Sequence, residues 1–207
     1  MLANNAKPVH LNQQPQSVPA SQTGVPISGN FGQTAGAAGK YLRLDLYTGV
    51  TTIASAITAK HQHTNLLGLW SDGKTATLSA STQKAATPDF TTSQLAVTSH
   101  GYSENQPIVI SAATVPTGLA ARTIYYAKVL DANTIQLKSQ NEGSLVGFSD
   151  NGATVKTTAV QLASISYQDN VAGDQATMPL RNLGRVVLST GAGDSVDILA
   201  IKLNQEE

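Results

Sequence analysis

The sequence has no cysteine among its 207 residues, which excludes disulfides, thiolate metal ligands and cysteine nucleophiles. Charge is also scarce. Asp, Glu, Lys and Arg make up 13% of the chain, against about 25% in an average soluble domain. The 13 basic and 13 acidic residues cancel, and no window forms a basic stripe that could neutralise a row of phosphates, so direct nucleic-acid binding is not expected. No apolar run approaches the roughly 18 to 20 residues of a membrane span, and the N-terminus lacks the charged, apolar, small-residue order of a signal peptide. The expectation is a soluble chain made in the cytoplasm, with no membrane partner. Aromatics are only 5% of the chain, and 27 of the apolar residues are alanine, which predicts a thin or divided core.

What remains is a surface of Thr, Ser, Asn, Gln and Gly with a formal net charge of zero. Such a surface resists association poorly and suits a protein whose working state is assembled. Residues 1–39 hold Pro8, Pro15, Pro19 and Pro26 and the glycine-rich run from Gly29 to Gly39, with no helical or strand period. They read as an extended N-terminal arm that orders only against a partner, with Val9, Leu11, Val18, Val25, Ile27 and Phe31 as its apolar anchors.

From Lys40 onward the pattern alternates. Leu42, Leu44 and Leu46 fall on one face of a half-buried strand. The stretch from Val50 to Lys60 fits a strand followed by a turn, with a short helix as the alternative. Asp72-Gly73 predicts a tight hairpin turn between two apolar runs. Residues 87–158 carry their own turns and hairpins, including Thr123 to Leu130, a turn through Asp131-Ala132-Asn133, and Thr134 to Ser139. Val160 to Tyr167, Gly184 to Ser189 and Ser195 to Leu203 read as closing strands, the last apolar on both faces, as in a central strand or one covered by a partner. The fold class is all-β: a sandwich or barrel-like domain from residues 40–86 and 159–207, with a second small β module, 87–158, inserted in it. Two domains in sequence are the alternative.

The middle module carries a resemblance. Ser99-His100-Gly101-Tyr102-Ser103, Pro107-Ile108-Val109-Ile110, Val115-Pro116-Thr117-Gly118-Leu119, Thr123-Ile124-Tyr125-Tyr126 and Asp131-Ala132-Asn133-Thr134 together resemble a module recurrent in bacteriophage head, tail and fibre proteins. It covers about a third of the chain. The resemblance implies a structural virion protein. An arm, a β domain and a second β knob look most like a capsid decoration or cement protein, whose partners are the major capsid protein and further copies of itself, a trimer being one form. A tail, baseplate or fibre component with affinity for host glycans is the alternative.

Residues with chemical potential are few. His61 and His63, spaced i, i+2, would point to one side of a strand as a metal site could use, but ligation needs three or four converging groups. Exposed or interfacial histidines are the expectation, and no metal or cofactor. Asp72, Asp150, Asp174 and Asp194 lie beside or near Gly or Asn, yet none has the ligand spacing of a calcium loop, so turn formation is expected of them. Gly-x-Ser-x-Gly, His-Glu-x-x-His and phosphate-loop motifs are missing, and no catalytic residue is expected. Trp70 and the Tyr125-Tyr126 pair could stack on sugars, though core packing is the commoner use of such rings.

Overall fold

The computed structural model describes residues 9–10, 15–28, 31–32, 41–52, 57–64, 69–168 and 183–206. Among them there is no helix, and the strands form three antiparallel sheets distributed over two compact units. The all-β expectation holds.

The first unit takes its described residues from 1–48, 52–79 and 162–207. One of its sheets runs in the order β1 (Val9–His10), β17 (Ser195–Glu206), β5 (Tyr41–Thr52), β15 (Gln161–Gln168), with β2 (Gln16–Val18) also on β17. The other runs β3 (Val25–Pro26), β16 (Leu183–Leu188), β6 (Ile57–Thr64), β7 (Trp70–Leu78), with β4 (Phe31–Gly32) also on β16. Leu44, Leu46, Ile165 and Ile198 of the first sheet share one core with Ile57, Ala59, Leu78 and Leu188 of the second, which makes the unit a sandwich. Each such Leu or Ile contributes about 1.5–3 kcal/mol through burial, which a chain so poor in charge needs.

The two apolar faces of β17 have a local cause. Val196 and Ile198 enter the core with even numbers, whereas Ile201 and Leu203 enter it with odd ones. The inward face therefore changes within 199–201, and both sets of apolar residues are used in turn.

Asp72-Gly73 is not a hairpin turn. Both residues lie inside β7, where Lys60 pairs with Thr75 and Gln62 with Asp72, leaving His61 opposite both Gly73 and Lys74. The extra residue makes a β-bulge, and Gly73 is not among the residues with positive φ. A glycine inside a strand marks a bulge as readily as a turn.

The second unit comprises residues 49–51 and 80–161. Its sheet runs β8 (Gln83–Ala85), β14 (Lys156–Ala159), β11 (Pro107–Ser111), β12 (Ile124–Asp131), β13 (Thr134–Lys138), β10 (Gln94–Ala96), β9 (Thr87–Asp89). Only Ala86 separates β8 from β9, the two ends of that order, and its amide donates to the Val155 carbonyl at 2.9 Å. Residues 83–89 thus form one stave that pairs first with β14 and then with β10, closing the sheet into a small barrel. Leu95, Ile108, Ile110, Ala127, Ile135 and Leu137 fill its interior. The unit begins before residue 87 because β8 pairs with β14 through its backbone, and Ser79 to Ala86 has no large apolar alternation to mark that strand in the sequence.

Two glycines of this unit separate conformational cost from collision. Gly101 and Gly152 both have positive φ, but a Cβ at Gly101 meets only the Lys84 Nζ at 3.9 Å, whereas at Gly152 it collides with the Thr114 carbonyl oxygen and approaches Pro116 Cδ to 2.8 Å. Gly101→Ala should cost about 1–2 kcal/mol of unfolding free energy for the left-handed backbone alone. Gly152→Ala should cost more, measured by urea denaturation of the two variants side by side.

Candidate functional site

The N-terminal segment is where the sequence placed its binding residues, and the structure uses much of it internally. Val18 and Ile27 are each 2% exposed and belong to the sandwich core. Val25 is partly buried on β3, opposite Leu188. Val9 lies on β1 opposite Leu203, and Phe31 on β4 opposite Gly184. Leu11 lies outside the described residues. Residues 15–28 are therefore not a free arm in this structure. They form a strap that crosses from one sheet to the other, because the outer edges of β16 and β17 need a neighbour and the strap supplies one to each.

Between its two strands the strap is fastened to the turn joining β16 and β17. Ser21 N donates to the Gly191 carbonyl at 3.0 Å and Thr190 N to the Gln22 carbonyl at 2.8 Å. Thr190 Oγ1 donates to the Pro19 carbonyl at 2.6 Å and accepts from Gln22 N at 3.1 Å. Gly24 N donates to Ser189 Oγ at 2.9 Å, and Val186 N to the buried Ser28 hydroxyl at 2.8 Å. Asp194, only 1% exposed, accepts the Gly191 amide at 2.9 Å and holds the turn itself, so this aspartate forms a turn as expected.

In the barrel, the loops that carry His100, Tyr102, Asp131 and Asn133 hold one another. His100 is buried, its Nε2 lies 2.7 Å from the Asp131 carbonyl and its Nδ1 accepts the Tyr102 amide at 2.9 Å. That pair of contacts fixes the tautomer with the proton on Nε2. Asn133 Oδ1 accepts the Ser99 amide at 2.8 Å, while Asp131 Oδ1 accepts the Asn133 amide at 2.7 Å. Tyr102 Oη meets Thr157 Oγ1 at 2.9 Å, and burial pushes its phenol up despite that bond. Lys84 Nζ caps the Ser99 and His100 carbonyls. Asp150 takes the Thr117 and Gly152 amides, and its bonding to the Thr117 side chain first, then to those amides, holds its carboxyl below the usual range. The Tyr125 ring enters the core, with its hydroxyl accepting the Ala120 amide at 2.8 Å, whereas Tyr126 alternates to the other side of β12.

The His61–His63 pair does share a strand side, but His61 is fully buried, contrary to the exposed or interfacial position expected. Burial, then the neighbouring His63, lowers its pKa from 6.5 to about 4. Among the described residues no three His, Asp or Glu side chains converge. On the opposite side of the same sheet, the Arg185 guanidinium sits 4.0 Å from the Trp70 ring centroid and donates to Gln62 Oε1, so one face of the tryptophan is already occupied by a cation. Asp174 lies outside the described residues. The barrel also has an open groove of about 380 Å³ lined by Ala86, Pro88, Asn151, Thr154, Val155 and Lys156, with no carboxylate on its walls.

No family model, curated protein or solved structure matches the chain.

The buried histidine sets a pH dependence. His61 is neutral when folded and takes up a proton near pH 6.5 when unfolded, so its contribution is whole above pH 6.5 and is withdrawn as the pH falls towards 4. The loss should total about 3 kcal/mol. Urea midpoints measured between pH 7 and 4 should show it, and His61→Gln should flatten the slope in that window.

Proposed function

We propose that this chain is a structural protein of a bacteriophage virion, a capsid decoration or cement protein that binds and stabilises the lattice of the major capsid protein. One observation carries the reading. The residues that resemble the recurrent phage module are spent on building it: His100, Tyr102, Asp131 and Asn133 bond to one another's loops. A module whose distinctive side chains tie its own loops together is a scaffold, and its binding lies in what its turns present.

Those turns present large apolar side chains. Phe90, in the turn between β9 and β10, is 50% exposed, and Leu145, in the loop after β13, is 48% exposed. A surface with little charge loses little by desolvation when it meets a neighbour, and many modest contacts repeated over a lattice add up through avidity. The mechanism is adhesion without turnover, with copies of the chain and the capsid subunit as partners and the assembled capsid surface as its place.

Quantitative mass spectrometry of purified particles tests this. The expected result is a copy number comparable with that of the major capsid protein; a handful of copies confined to one vertex would move the chain to the tail. The double variant Phe90→Ser, Leu145→Ser should fold with a stability loss of no more than about 1 kcal/mol, yet show reduced occupancy on particles.

A further inference from the structure

The strap's binding groove is also a site for the strap of another copy. We propose that residues 15–32 are exchangeable, so that at high local concentration the edges of β16 and β17 in one copy accept these strands from a second copy, linking the two chains. The inference goes beyond the virion reading and does not depend on it.

The acceptor is a built site. It consists of two strand edges, one in each sheet of the sandwich, which the strap covers, together with core positions that receive Val18 and Ile27. Gln16 to Val18 pair with Val196 to Ile198, and Val25-Pro26 with Val187-Leu188. Between them, Ser189, Thr190 and Gly191 bind the strap backbone at residues 19–24. These pairings and bonds would be the same whether the strap comes from its own chain or from a neighbour.

What distinguishes the two states is the connection and the concentration. Gln33 to Lys40 are eight residues with no proline, five of them Gly or Ala. Fully extended they reach about 26–29 Å. That tether gives the chain's own strap an effective concentration in the millimolar range, and a crowded array of copies reaches similar values. The strap's own strands are two or three residues long, so each dissociates readily by itself. An empty acceptor would expose two strand edges and two vacant core positions, so a strap released from one site is captured at the next.

The absence of native cysteine makes the test direct. Ser17 and Asp197 are Cα partners across the β2–β17 ladder, and neither is fully buried. Full-length Ser17→Cys and isotopically labelled Asp197→Cys are mixed at increasing concentration, then oxidised, and the disulfide-linked peptides are identified by mass spectrometry. A 17-to-197 bridge between labelled and unlabelled copies is expected. At low occupancy its fraction should rise about tenfold for each tenfold increase in concentration, by mass action. The double variant Ser17→Cys, Asp197→Cys reports the bridge within one chain, and Val25→Cys with Leu188→Cys repeats the experiment on the other sheet. Bridges that form inside the double variants at every concentration, with none between the mixed single variants, would overturn the proposal.

Discussion

The first unit depends on one constraint: a two-sheet sandwich with β16 and β17 at the same margin must have both of those edges covered. Exposed edges pair with whatever strand arrives, and here the N-terminal strap arrives from more than 160 residues away in sequence. Its pairing is short in each sheet, but its two buried side chains and its bonds to the 189–194 turn make it part of the core's construction. The burial of Val186, Leu188, Val196 and Ile198 on that margin follows from this closure.

The barrel meets the same constraint differently. Its sheet has no partner sheet to lean on, so residues 83–89 serve as the stave that joins its ends, and closure removes the edges altogether. The loops then need fixing without help from large apolar side chains, which the composition supplies sparingly. Asp131, Asn133, Asp150 and His100 do this with hydrogen bonds to backbone amides and carbonyls. Those are the side chains a search for catalytic groups would notice first, and their bonding gives each of them a structural role.

Much of the architecture was legible in the sequence. The residue pattern located β11, β12, β13 and β16 to within a residue or so, and the start of β5, which runs on through Thr48-Gly49 to Thr52, while Asp131-Ala132-Asn133 marked its hairpin because Asn and Asp favour turns through their own backbone bonds. Other features were not legible for identifiable reasons. The strands of the strap are too short to show a period, and their partners lie at the other end of the chain. Asp72-Gly73 has the composition of a turn, and only the pairing register reveals a bulge. The His61 position is explained by Ile57 and Ala59 at the same phase of β6, a pattern visible in the sequence but outweighed by the polarity of histidine. Val18 and Ile27 stand out in the sequence as apolar residues of a polar segment, but the surface they fill belongs to their own chain.

Native-state hydrogen exchange tests this closure most directly. If the strap is an integral part of the sandwich, the amides of Ile27 and Val186, whose bonds cross between strap and β16, should be protected to a similar free energy and should open together under rising denaturant. Rapid, unprotected exchange at Ile27 while Val186 and the rest of β16 stay protected would contradict it.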